Sequence, residues 1–394
     1  MKGTLGLGLV LGLLFGMSAL AEEPTEQQIE RAAKIQASKN LKFRGWWDPW
    51  GMGPYKGDWD RAARELHEAG YNAVLSNMCL GWQSLYPSDL VPQKYKDDWL
   101  KICLEACQKH KLKFHVWLVC YNTGINVPKS HIQKLRAEGR LQKTVDGKEV
   151  DWLCPSDPRN VKHQCNQITE MLKKYPKIAG IHLDFIRYDN GKLCYCEGCR
   201  ERFEKEKGKV ANWPADVHGA GARSKEYNDW RKAQIRNMVV KARAATKKAK
   251  RTAKFSAAVW VGIWVDGIAQ DWFPWVEDGL LDFVCPMDYT KKPQEFEKWV
   301  KMQQEKTKNK TPIYPGIAEW QNDRDGILSQ IEIADKLGCQ GYVLFKIHAP
   351  GMEKMIPVMK AAKERKGTVK ERKGTAKERK GTTKKSGGKK KKAS

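Results

Sequence analysis

Between residues 43 and 349 the chain alternates eight times between a short β-rich run and a segment with helical character, and this rhythm restricts the fold more than any other feature. The runs are FRGWWDPW from Phe43, YNAVLSNM from Tyr71, KFHVWLVCYN from Lys113 and IAGIHLDFIRY from Ile178. FSAAVWVGIW from Phe255, LDFVCPMDYT from Leu281, PIYPGIAEW from Pro312 and GYVLFKIHA from Gly341 follow. The segments between them carry helix punctuation. DWDRAARELHEAG starts acidic and ends in Gly70, and the helix after Asp157-Pro158 has an N-cap aspartate, a first-turn proline and a stop at Pro176. Apolar strands alternating with helices give a parallel sheet covered by helices. Eight units in roughly 300 residues fit a (β/α)8 TIM barrel. A doubly wound open sheet is the rival, and it lacks the G-x-G-x-x-G turn after the first strand.

The barrel is expected over residues 41–362, after a lead-in at 22–40. Residues 1–21 have the form of a cleaved signal peptide: Lys2, the apolar LGLGLVLGLLFGM, then SALA with small residues at Ala19 and Ala21. An uncleaved membrane anchor is the alternative, but the apolar run is short for a span. The expected address is therefore secreted, periplasmic or cell-surface. Residues 363–394 repeat KERKGT from Lys363, Lys370 and Lys377, and they carry +12 of the net charge of +26. With almost no apolar residues this tail is expected to be disordered. It either tethers the protein to a polyanion or only solubilises it. No zinc finger, RNA-binding aromatic motif or P-loop accompanies it, which argues against nucleic-acid chemistry.

A TIM barrel keeps its active site at the C-terminal ends of its strands, and the polar residues of this chain collect there. Strand one ends near Asp48 and strand three at Tyr121-Asn122. Strand four supplies His182, Asp184, Arg187 and Tyr188. Strand six ends in Asp288-Tyr289, strand seven in Glu319-Trp320, and strand eight offers Lys346 and His348. Trp46, Trp47, Trp50, Trp117, Trp260, Trp264 and Trp320 stand beside them. Carboxylates at a mouth rimmed by tryptophan suit sugar, because indole faces stack on pyranose rings and carboxylate pairs cleave glycosidic bonds. Asp184 is expected to be nucleophile or base, with Glu319 or Asp288 as the acid. The expected substrate contacts include Trp46, Trp117, Asn122, His182, Arg187, Tyr188, Tyr289, Trp320, Lys346 and His348. The bland alternative makes Asp184 a structural ion pair with Arg187.

The stretches FRGWW, AGIHLDFIRY, LDFVCPMDY and the Trp-Leu-Cys-Pro before Asp157 resemble the family 10-like glycosyl hydrolases over about residues 40 to 360. The resemblance implies an exported, carbohydrate-active barrel with Asp184 central and Arg44, His182 and Arg187 lining the site; the expected substrate is a polysaccharide or oligosaccharide, and no cofactor is expected. Two positions depart from related patterns. Asp189 stands where family members often have proline, and Ile186 stands where chitinase-like barrels carry the acid of D-x-D-x-E. A non-catalytic carbohydrate-binding barrel and a polyanion-tethered surface protein are the competing functions.

Among the 11 cysteines, Cys194, Cys196 and Cys199 form a C-x-C-x-x-C group just after strand four. They are candidates for a structural metal with a fourth ligand from elsewhere, or for a disulfide within the loop. The segment SKEYNDWRKAQIRNMVVKARAATKKAKRT reads as a long outer helix with an apolar face at Tyr227, Trp230, Ile235, Met238 and Val239.

Overall fold

The computed structural model describes residues 23–365 apart from positions 81, 125, 126, 192 and 264. The expected signal peptide, Trp264 and all of the repeat tail beyond residue 365 lie outside the described residues. Eight strands form one sheet: β1 Phe43–Asp48, β2 Ala73–Cys79, β3 Lys113–Val119, β4 Gly180–Asp184, β5 Lys254–Val259, β6 Phe283–Pro286, β7 Gly316–Ala318 and β8 Gly341–Phe345. Every neighbouring pair from β6 round to β7 through β5, β4, β3, β2, β1 and β8 is parallel. The parallel bridges Val284–Ile313 and Met287–Gly316 join the two ends, so the sheet is a nearly closed barrel. The expected TIM barrel is thus the observed fold.

The sequence explains the helices that cover it. Asp58, Asp98, Asp157 and Asp323 each accept a backbone N–H at the start of the helix they cap, which offsets the unpaired amides of the first turn. Pro158 occupies the first turn of the helix Pro158–Lys174, where its missing N–H costs nothing. The long helix Ser224–Ala249 buries Tyr227, Trp230, Ile235, Met238 and Val239, the face expected from the sequence. No described helix is long and apolar enough to cross a membrane.

Two boundaries differ from expectation in detail. The lead-in contains a helix, Glu26–Ala37, started by a reciprocal capping box between Thr25 and Gln28. The last helix runs over residues 349–365, three residues into the expected tail. There Lys363 Nζ donates to His67 O, and Arg365 pairs with Glu26.

Strand side chains alternate between the inside of the barrel and the helix layer. Phe43 and Trp47 of β1, Ala73 and Leu75 of β2, Trp117 and Val119 of β3, Ala258 of β5, Phe283 and Cys285 of β6 and Val343 of β8 pack together inside. Their neighbours Trp46, Val74, Val116, Ile181, Leu183, Val284, Tyr342 and Leu344 pack outward under the helices. Register fixes β4 in this scheme. His182 lies beside Trp117 and Ser256, and Asp184 lies beside Val119. The inside is tightly packed at the start of β7, where a Cβ on Gly316 would stand 2.8 Å from the Trp47 ring.

Candidate active site

The C-terminal mouth of the barrel holds a cavity of about 540 Å³, and among the described residues Asp184 is the only acidic one lining it. Aromatic rings supply much of the wall. Trp47 rises from β1, Trp117 from β3, Tyr289 follows β6 and Phe345 ends β8. Tyr289 stacks on Phe345 at 5.5 Å, and Trp47 and Trp117 meet the same ring edge-on at 6.3 and 6.4 Å. Asn77, Lys94 and Asn122 add polar edges, and Trp50 stands at the rim, 55% exposed.

Asp184 is held in place locally. Its Oδ1 accepts the Phe185 N–H at 2.6 Å. Phe185 itself has φ +50, a left-handed conformation that a bulky residue adopts only under constraint. That turn breaks the strand alternation, so Asp184 and Phe185 both line the cavity. Burial of Asp184 raises its carboxyl from 3.8 to about 6, against the opposing pull of the Phe185 amide and the Arg187 charge. Asp184 and Arg187 form no ion pair. The Arg187 guanidinium donates instead to Tyr188 O and Asp189 O, and it lies 4.9 Å over Trp152, 5.3 Å over Phe185 and 5.7 Å over Trp260.

One layer below, His182 is fully buried and does not line the cavity. The Trp47 indole N–H donates to its Nε2 at 3.0 Å. An indole N–H can only donate, so Nε2 is the acceptor and Nδ1 carries the proton toward Ser256 Oγ at 2.9 Å. Burial also pushes the His182 pKa well down, which agrees with a neutral ring. His182 therefore holds the Trp47 ring in the mouth and is a positioning residue, not the substrate contact expected.

The expected partners of Asp184 do not reach the cavity. Met287 and Tyr289 line it, and Asp288 between them points back to the helix Pro293–Thr307. There Gln303 Nε2 donates to Asp288 Oδ1 at 2.6 Å, and burial drives this carboxyl well above the usual carboxylate range. Glu319 is buried behind the mouth. His348 Nε2 and Lys354 Nζ lie 2.6 and 2.8 Å from its carboxylate oxygens. Burial alone would raise the Glu319 pKa, but the hydrogen bonds from His348 and Lys354 leave it lowered. The carboxylate pair inferred from the strand ends is thus not assembled in the cavity, because strand parity and a buried ion pair turn its other members away.

Several further expectations are corrected in the same way. Arg44 sits at the opposite, N-terminal end of β1, where it donates to Leu41 O, Ile35 O and Gln36 Oε1 and secures the lead-in helix. Trp46 faces outward against Tyr71, and Trp47 takes the inward place. Tyr188 is buried beneath the Arg231 guanidinium. Trp320 is 53% exposed on the short turn Glu319–Gln321, and neither it, Lys346 nor His348 lines the cavity. Asp48 is buried behind the wall, where it accepts from Ser76 Oγ and the Trp50 N–H. Trp117, Asn122, Asp184 and Tyr289 do line it, and Arg187 flanks it through Phe185. Trp50, Asn77, Phe185 and Phe345 complete the wall, and inward parity was the signal for Phe345.

Solved structures share this barrel. The glycoside hydrolase domain of PgaB (BpsB) from Bordetella bronchiseptica matches with a TM-score of 0.62 at 13% identity, over 80% of this chain and 98% of that one. The catalytic domain of β-amylase from Paenibacillus polymyxa matches with a TM-score of 0.57 at 15% identity, over 78% and 92%. Identities this low establish the fold alone. Sequence goes further: the pattern of the glycosyl hydrolase-like 10 family matches residues 58–325, and the chain belongs to that family. The glycosyl hydrolase DigH of Escherichia coli strain K12 is 23% identical over 261 residues, 57% of this chain and 56% of DigH. The chain spans about half the length of the curated relatives it matches.

Proposed function

We propose that this chain is an exported glycoside hydrolase acting on a polysaccharide or oligosaccharide, with Asp184 as the reacting carboxyl. The observation that carries the reading is the isolation of Asp184: one buried acid, raised to about 6, in a cavity walled by aromatic rings. A carboxyl raised by an apolar pocket suits proton donation to a glycosidic oxygen better than nucleophilic attack. Cleavage builds positive charge on the sugar ring. The faces of Trp47, Trp117, Tyr289 and Phe345 favour such charge, and water completes the hydrolysis. Export rests on residues 1–21. The charge of +14 that remains outside residues 363–394 favours an anionic glycan.

The test is release of reducing ends from a panel of neutral and anionic polysaccharides, by the native chain and by Asp184→Asn. Cleavage should fall by about 10²–10⁴-fold in the variant, with glycan binding retained. As proton donor, Asp184 should give a rate that declines as pH rises through about 6; a rate that climbs through the same range would make it a base or nucleophile. A second reading, a non-catalytic carbohydrate-binding barrel, is favoured by the absence of any other acidic residue lining the cavity among the described residues. Tight binding with no cleavage across the panel would establish it.

A further inference from the structure

Four cysteines from two loops converge beside the cavity wall. Cys154 follows the hairpin strand Glu149–Leu153 in the connection after β3, and Cys194, Cys196 and Cys199 lie in the connection after β4. All four are buried, and their sulfurs lie within 4.8 Å of one another. Cys154 Sγ is 3.4 Å from Cys199 Sγ and 3.8 Å from Cys196 Sγ. A zinc ion with four thiolates at about 2.3 Å sets tetrahedral sulfur–sulfur edges of about 3.8 Å. A disulfide needs about 2.05 Å, and all four thiols are free.

Hydrogen-bond donors surround the sulfurs. The Lys143 N–H donates to Cys194 Sγ at 3.3 Å, and Ser156 Oγ lies 3.2 Å from both Cys154 Sγ and Cys199 Sγ. Arg202 donates to Ser156 Oγ at 3.1 and 3.0 Å, and its Nη2 is 4.0 Å from Cys154 Sγ. Cys196 caps the helix Glu197–Lys207, and Cys199 sits in its first turn, where the helix dipole favours negative charge. The Arg202 guanidinium beside Cys154 and the helix N-terminus at Cys196 and Cys199 offset part of the net charge of −2 of a zinc tetrathiolate.

We propose that Cys154, Cys194, Cys196 and Cys199 bind one structural Zn²⁺ that staples the connections after β3 and β4. Four thiols release four protons to solvent as four Zn–S bonds form, and no oxidant is needed. The staple bears on the cavity because Trp152, two residues before Cys154, pairs with Asn122 and packs 5.6 Å from Phe185 under Arg187. The metal thereby fixes the wall next to Asp184 without touching substrate.

The experiment measures metal in the full chain purified without chelator, together with its mass after denaturing alkylation without reductant. One zinc per chain and eleven alkylated cysteines are expected. Replacing zinc by Co²⁺ should give thiolate charge-transfer and tetrahedral ligand-field absorption, lost in Cys154→Ser and kept in Cys165→Ser, whose cysteine lies outside the cluster. Arg202→Met should weaken zinc binding by roughly 10-fold. A chain without stoichiometric metal, an iron content in place of zinc, a disulfide within the four, or full zinc retention by Cys154→Ser would each overturn the proposal. The metal content and mass of the native chain decide it even where a variant fails to fold.

Discussion

Asp184 and Glu319 both stand just where a barrel strand ends, both are buried, and they live in opposite environments. Glu319 has the His348 ring and the Lys354 ammonium within 2.8 Å, and its pKa is lowered. Asp184 has one backbone amide and no ion pair, and its pKa is raised to about 6. A buried carboxylate with a matched cation is a structural fastener. One left short of partners in an aromatic cavity costs stability, and such costs concentrate where chemistry is done. The difference separates two acids that looked alike in the sequence.

The largest effect should come from breaking the fastener. Glu319→Ala leaves the partly buried Lys354 ammonium with only the Glu319 and Asn322 carbonyls as acceptors and should destabilise by about 3 kcal/mol in urea unfolding. Lys354→Met combined with Glu319→Ala should recover part of that loss; full additivity would mean the pair does not couple.

Asp184→Asn should do the reverse. Asn keeps the acceptor for the Phe185 N–H and removes the charge, so the variant should gain up to about 3 kcal/mol at neutral pH. The sign follows from the shift. Between 3.8 and about 6 the folded state holds a proton that the unfolded state has released, so stability contributed by Asp184 falls as pH rises through this window. Glu319 works oppositely: its lowered pKa gives stability that is present above the unfolded value of 4.5 and lost as pH falls through the folded one. Unfolding curves from pH 3 to 7 should therefore show the gap between Asp184→Asn and the native chain widening toward pH 6, and the gap for Glu319→Gln shrinking toward pH 3.

The smallest effect concerns the support under the mouth. Ser256→Ala leaves the buried His182 Nδ1–H without an acceptor and should cost about 1–3 kcal/mol. It should also weaken glycan binding through the Trp47 ring that His182 holds, and unchanged binding would detach Trp47 from that support.

Much of this was legible in the chain. The eight strands, the aspartate caps and the Asp157-Pro158 start follow from local patterns whose physics is local too. Asp184 was found because a carboxylate in an apolar run is costly without a purpose. Period-two alternation could also have sorted Trp47 from Trp46 and turned Asp288 away between Met287 and Tyr289, but a strand end does not announce which parity faces inward. Glu319 required knowledge of Lys354, which lies in the last helix. Cys154 sits forty residues before Cys194 with a whole helix between them, so no spacing rule joins it to the other three. Arg44 was misplaced for a different reason: a cation on the first strand is as useful for gripping the C-terminus of the lead-in helix as for gripping a ligand.

The contrast between the two acids comes down to the protonation of one carboxyl. Carbon-detected NMR titration of the aspartate side chains, with the Asp184 signal assigned by its loss in Asp184→Asn, should give a midpoint near 6. A midpoint at or below the ordinary 3.8 would show a carboxylate that the fold has already satisfied, and the cavity would lose its reacting group.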